Sequence, residues 1–194
     1  MSKNTNIMIV GVGGQGTLLA SRIMGAVTME RGFDAKLSEV HGMSQRGGSV
    51  VTYVKYGDKV YSPVIDKGEA DYILAFEPLE AARYVTNLKK DGCMIVNDQQ
   101  ILPMPVITGS MAYPENIVEK MRAVGARVLS YDALALATQA GLPRAVNVVL
   151  IGVLSNFLEF EEAAWIRAIE TTVRQEYWEM NKTAFSIGRT AGQA

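Results

Sequence analysis

The chain has 194 residues, 48% of them hydrophobic, with 19 basic side chains against 20 acidic ones and a formal net charge of −1. A length of this order buries a substantial core and is most economically read as one domain spanning 1–194. Basic residues are neither in excess nor clustered, which excludes the electrostatic footprint of a nucleic-acid-binding protein.

A single lysine precedes the first apolar run, so no signal peptide is expected at the start. Residues 7–10 read as a short buried strand. The run Gly11-Val12-Gly13-Gly14-Gln15-Gly16 follows, and 15–31 carries Leu19, Ile23, Ala26 and Val27 at helical spacing before Gly32. A second strand is expected over 35–40, and the three elements form a β-α-β unit, which is right-handed and parallel in nearly all known cases. Two β-rich runs, 50–56 and 59–65, flank Gly57-Asp58, the signature of an antiparallel hairpin.

Residues 71–76 return to a buried strand, and 78–90 to a helix with Pro78 in its first turn and Gly92 as its stop. The lone cysteine, Cys93, begins the strand 93–97. One thiol can neither form an internal disulfide nor by itself ligate an iron–sulfur cluster, so a cytoplasmic setting is expected, with any cluster on another subunit. Pro103 and Pro105 flank 106–108, which suits an edge strand. A helix over 113–123, a strand over 127–131 and a helix over 132–140 with Asp132 as N-cap come next.

Gly141 and Pro143 precede a long apolar helix, 144–158. Its apolar part is broken by Asn147, Gly152, Ser155 and Asn156, too short and too polar for a membrane span, so it reads as a core helix. A last helix is expected over 161–180, with Ile166, Ile169, Val173 and Tyr177 on one face. The ten methionines are expected to fill core gaps. The fold class that follows is a single three-layer α/β/α domain whose sheet is mixed and mostly parallel, including one antiparallel hairpin.

Two segments could carry chemistry. Gly11, Gly13 and Gly16 fit G-x-G-x-x-G between a strand and a helix, where glycines permit a tight turn and the helix N-terminus offers unpaired N–H groups to an anion. The same glycines could serve only the turn and close helix packing. A dinucleotide site would also want an acid near the end of the second strand; Glu39 is approximately there, at a longer offset than usual, and Gln15 replaces the customary apolar or small residue. The second segment, 39–49, holds the only histidine, His41, with Gln45 and Arg46 set among Gly42, Gly47 and Gly48, and ends at Ser49. Arg46 could clamp a phosphate or carboxylate bidentately, and His41 could donate a hydrogen bond. A plain connecting loop is the alternative. Glu77, Glu80 and Arg83 are spaced for helix-dipole and side-chain pairing on one helix. No nucleophile elbow, zinc-type histidine pair or Walker lysine is present, so no catalytic residue is assigned.

The glycine turn followed by Glu39-Val40-His41-Gly42-Met43-Ser44-Gln45-Arg46-Gly47-Gly48-Ser49 resembles the gamma domain of the 2-oxoacid:ferredoxin oxidoreductases, nearest to the small subunit of the indolepyruvate type. The stretches beginning at Tyr61, Glu69, Phe76 and Asn181 agree as well. The resemblance implies an accessory part of a heteromeric enzyme that converts a 2-oxoacid and coenzyme A to acyl-coenzyme A and carbon dioxide while reducing ferredoxin. It places thiamine diphosphate and iron–sulfur clusters on a large alpha subunit. By matching positions, Gly11, Gly13, Gly14, Gln15 and Gly16 with His41, Gln45, Arg46, Gly47, Gly48 and Ser49 would face coenzyme A or the partner, with no metal bound by this chain. A free-standing dinucleotide-binding oxidoreductase and a non-enzymatic binding module are the alternatives.

Overall fold

The fold is taken from a computed structural model that describes residues 4–41 and 47–193. Strand β1 (Thr5–Val12) is buried on both sides, as its unbroken apolar run requires of a central strand. Ile7 and Ile9 enter one core, while Met8 and Val10 enter the other. Helix α1 (Thr17–Glu30) leads to β2 (Asp34–His41) and then β3 (Ser49–Gly57). The chain continues through β4 (Ala70–Ala75), α2 (Pro78–Arg83), β5 (Leu88–Asn97), α3 (Met104–Ile107), α4 (Ile117–Ala123) and β6 (Arg127–Tyr131). Four helices complete it: α5 (Ala133–Gln139), α6 (Val146–Ser155), α7 (Glu162–Thr172) and α8 (Trp178–Ala191).

The six strands lie in the order β2-β3-β1-β4-β5-β6. β1, β4, β5 and β6 are parallel neighbours, and β3 runs antiparallel to both β1 and β2. Residues of α1, α5, α6, α7 and α8 form the core on one face, and those of α2 and α4 the core on the other. The expected three-layer, mixed and mostly parallel α/β architecture is therefore observed.

The hairpin is placed differently from the sequence expectation. β3 pairs with β2, and 59–65 forms no strand. Both edges of β3 are already taken, by β1 and β2, so a further strand has no backbone to pair with. Val60 and Ile65 instead anchor that loop by burial, and Val60 N–H donates to the Asp34 carboxylate at 2.9 Å. β1 and β2 do run in the same direction, but β3 separates them.

Other boundaries shift for local reasons. The expected helix 78–90 ends at Arg83, and its tail is the start of β5. Gly92 lies inside that strand rather than ending a helix. A Cβ there would come within 2.9 Å of the Ala70 and Asp71 carbonyl oxygens, where the β4–β5 register shifts. Residues 106–108 lie in or just after α3, not in an edge strand; the edges are β2 and β6. α4 begins only after Asn116, whose φ of 54° is left-handed. The last expected helix is two, because Val173 and Arg174 are extended and Trp178 Nε1 donates to the Val173 carbonyl at 2.9 Å. Met8, Met24, Met94 and Met121 fill the cores as expected, whereas Met29, Met104 and Met111 are exposed.

α6 is buried along its length and α8 packs over it. Gly152 and Gly188 make this possible. A Cβ on Gly152 would sit 2.2 Å from the Phe185 carbonyl, and one on Gly188 2.0 Å from that of Val149. No described helix is long and apolar enough to cross a membrane.

Candidate functional site

The carboxyl ends of the parallel strands meet the glycine turn, as the rule for open α/β sheets anticipates. Between β1 and α1 the chain bends through Gly14 (φ 101°) and Gly16 (φ 82°), conformations that suit residues without a Cβ. Gly16 occupies the N-cap position of α1 and supplies no side-chain cap, so the first N–H groups of the helix have no side-chain acceptor from that residue.

Gln15 folds back into the turn. Its Oε1 accepts from Val12 N–H at 2.7 Å and its Nε2 donates to the Phe76 carbonyl at 2.9 Å. Gly11 makes room for this, since a Cβ there would stand 2.8 Å from Oε1 and 3.2 Å from Phe76 Cβ. Both polar atoms of the Gln15 amide are thus engaged with backbone. The Phe76 carbonyl also accepts from Asn97 Nδ2 at 3.2 Å, and Asn97 Oδ1 accepts from Ala133 N–H at the start of α5. The turn is pinned from a third side by α6, where Asn147 Nδ2 donates to the Gly16 carbonyl at 3.2 Å.

In front of the turn lies a cleft of about 380 Å³ lined by Gly13, Gly14, Gly16, Thr17, Leu18, Glu39, His41 and Val50. Glu39 projects into it from β2 and accepts hydrogen bonds from the Thr17 and Thr52 hydroxyls at 3.2 and 3.3 Å. The cleft therefore sets a helix N-terminus against a carboxylate. Such a pairing suits a ligand that carries both anionic oxygens and hydroxyl or amide N–H groups. β3 intervenes between β1 and β2, so Glu39 stands one strand farther from β1 than the acid of an ordinary dinucleotide-binding unit, where the first two strands are neighbours.

The structure brings His41 to the glycine turn, and Gly13 N–H donates to the Gly48 carbonyl at 2.9 Å. Gly47 (φ 79°) leads into Gly48 and β3. The Ser49 hydroxyl turns away toward α2 and donates to the Glu80 carboxylate, which also takes the Arg83 Nε–H at 3.1 Å. Gln45 and Arg46 lie outside the described residues.

Three residues at this end of the sheet do more than their sequence positions suggest. Glu77 and Glu80, spaced as a helix-end pair, are 1% and 5% exposed. Glu77 caps α2 by accepting from Glu80 N–H at 2.8 Å, and it also accepts from the Tyr113 hydroxyl and from Ile101 N–H at 3.4 Å. Burial first, then this carboxylate, pushes the Tyr113 phenol well above the ordinary range. Asn147, 131 residues from Gly16, carries no local signal for its role at the turn.

Cys93 is buried in β5, and burial pushes its thiol up, the opposite of an activated nucleophile. Among the described residues, no group of three His, Cys, Asp or Glu side chains gathers to hold a metal ion.

Residues 6–191 match the family described as pyruvate ferredoxin/flavodoxin oxidoreductase. The chain is 39% identical to indolepyruvate oxidoreductase subunit IorB of Thermococcus kodakarensis, over 98% of this chain and 97% of the relative. Among solved structures, the gamma subunit of a keto/oxoacid ferredoxin oxidoreductase from Geobacter sulfurreducens aligns with a TM-score of 0.73 at 22% identity, covering 97% of this chain and 98% of that one. The 2-oxoglutarate:ferredoxin oxidoreductase of Magnetococcus marinus, solved with 2-oxoglutarate, coenzyme A and succinyl-CoA bound, aligns with a TM-score of 0.72 at 16% identity. It covers all of this chain and 32% of that longer one.

Proposed function

The chain belongs to the pyruvate ferredoxin/flavodoxin oxidoreductase family, and from that premise we propose that it is the small subunit of a heteromeric, cytoplasmic 2-oxoacid:ferredoxin oxidoreductase of the indolepyruvate type. The observation that carries this reading is the end-to-end agreement with an indolepyruvate oxidoreductase subunit, 39% identical over 97% of that relative. The complex takes an aryl 2-oxoacid and coenzyme A to the acyl-coenzyme A and carbon dioxide, and the electrons released pass to ferredoxin. Thiamine diphosphate and the iron–sulfur clusters belong to the large alpha subunit; a cluster of the four-cysteine type needs more thiolates than the one this chain has.

The part assigned to this chain is to hold coenzyme A and to pack against the large subunit. Two features of the cleft suit coenzyme A, which carries phosphates, a ribose and amides on one molecule. The N–H groups of the turn and the first turn of α1 would receive phosphate oxygens. Glu39 would accept from a ribose hydroxyl or an amide N–H. Gln15 holds the turn rather than the ligand, because its amide is occupied by Val12 and Phe76. His41, Gln45, Arg46, Gly47 and Gly48 are the residues of the second segment assigned to the coenzyme or the partner, and Ser49 is tied to Glu80.

Calorimetric titration of coenzyme A into this chain, alone and with the large subunit present, tests the assignment. Binding to the free chain supports a preformed cleft, and binding only in the complex puts the site at the subunit boundary. Absence of heat in both removes the coenzyme from both loops and leaves a packing subunit.

A further inference from the structure

We propose that a second groove, behind the first turn of α1, docks an acidic segment of the large subunit that presents an apolar side chain between carboxylates. The assignment rests on the reading of this chain as a subunit. The groove has a volume of about 620 Å³ and opens between α1, the connection from α5 into α6, and the connection from α7 into α8.

Its walls are apolar, with Leu19, Leu142 and Val173 among them and the ring of Tyr177 at the edge. Tyr177 is 40% exposed, a large aromatic surface left to solvent. Two arginines, Arg144 and Arg174, line the same groove, and no carboxylate does. Arg174 has only the exposed Glu176 at 4.0 Å, and Arg144 makes no ion pair among the described residues.

A chain of net charge −1 thus sets two exposed guanidinium groups beside one apolar floor. Charge decides the occupant: a basic segment would meet uncompensated like charge, whereas carboxylates find bidentate guanidinium partners. The apolar floor needs a side chain to exclude water from it, the usual anatomy of an anchored interface. The groove also adjoins the coenzyme cleft. Leu18 lines the cleft and Leu19 the groove, and buried Asn147 lines the groove while binding the Gly16 carbonyl. A segment seated there would brace the helix whose N-terminus forms the cleft.

The test is binding of the large subunit to the Arg144→Glu/Arg174→Glu double variant at low and high salt. Both arginines are exposed, so the free variant is expected to keep the thermal midpoint of the parent chain; Arg144→Gln/Arg174→Gln serves if it does not. We expect affinity to fall about tenfold or more, with a flatter salt dependence. Lys120→Glu, on the opposite face of the sheet, should leave binding unchanged. Hydrogen exchange should show residues 142–145 and 173–177 protected in the parent complex. An active complex that the double variant forms equally well, equal weakening by Lys120→Glu, or no protection of those segments would overturn the groove assignment while leaving the subunit reading intact. Self-association of the free chain, abolished by the same double variant, would overturn it in favour of a second copy. If the parent chain forms no complex at all, the subunit reading fails and the groove assignment falls with it.

Discussion

Gln15 donates its side-chain amide to the carbonyl oxygen of Phe76 across 2.9 Å, tying the glycine turn to the end of the neighbouring parallel strand. A second bond runs from Val12 N–H to Gln15 Oε1, at a position where ordinary dinucleotide-binding turns carry an apolar or small residue. Replacing Gln15 with Ala leaves a strand N–H without its acceptor and removes one of the two donors to the Phe76 carbonyl. Unmade partners of this kind cost about 1–3 kcal/mol. Denaturant unfolding should show a loss of that size with an unchanged slope.

The two left-handed glycines should respond unequally. Gly14→Ala is strained by φ alone, because nothing lies within 4 Å of a Cβ there. Gly16→Ala is strained by φ and also places a methyl 2.6 Å from Asn147 Nδ2. A left-handed non-glycine residue costs about 1–2 kcal/mol, and Gly16→Ala should exceed Gly14→Ala by the displaced Asn147 contact. Equal destabilisation in thermal unfolding would show that Asn147 moves aside freely.

Glu39 sets the electrostatics of the cleft. Glu39→Gln keeps an acceptor for Thr17 and Thr52 and removes the negative charge. Inorganic pyrophosphate should then bind at least about fivefold more tightly at low ionic strength, since two unit charges a few ångströms apart repel by about 1 kcal/mol in water and pyrophosphate carries more than one. The gain should shrink as salt is added. Unchanged affinity would mean that the anion does not reach the cleft.

Alkaline stability should depend on Tyr56. Burial pushes its phenol up to about 12 from the ordinary 10, partly offset by a hydrogen bond with Thr5. Because the folded-state value is the higher one, the stabilisation is fully present below pH 10 and is lost as pH rises through 12. Two units correspond to about 3 kcal/mol. Denaturant titrations between neutral and strongly alkaline pH should therefore show a steep loss of stability, and Tyr56→Phe should flatten it. Tyr72 is raised by burial too, so some slope should survive the substitution.

The parallel half of the sheet is legible in the sequence because its strands are buried on both faces and leave unbroken apolar runs, as at residues 7–10 and 72–76. The glycine turn is legible because Gly14 and Gly16 occupy backbone angles that a side chain would strain. The hairpin partner is not, since 35–40 and 59–65 are both β-rich and only the filled edges of β3 decide between them. The break at 173–177 has no glycine or proline and rests on Trp178 reaching back to the Val173 carbonyl. At the site, His41 and the glycines are visible as local patterns. Asn147 and the bond from Ser49 to Glu80 are not, because their partners lie 131 and 31 residues away in sequence.

The most direct measurement is ferredoxin reduction by the co-expressed large subunit, with and without this chain, in the presence of thiamine diphosphate, coenzyme A and indolepyruvate. Substrate-dependent reduction and acyl-coenzyme A formation should need both chains, with the two eluting as one complex. Full activity of the large subunit alone, or an intact complex inert toward every aryl and branched 2-oxoacid offered, would contradict the subunit reading.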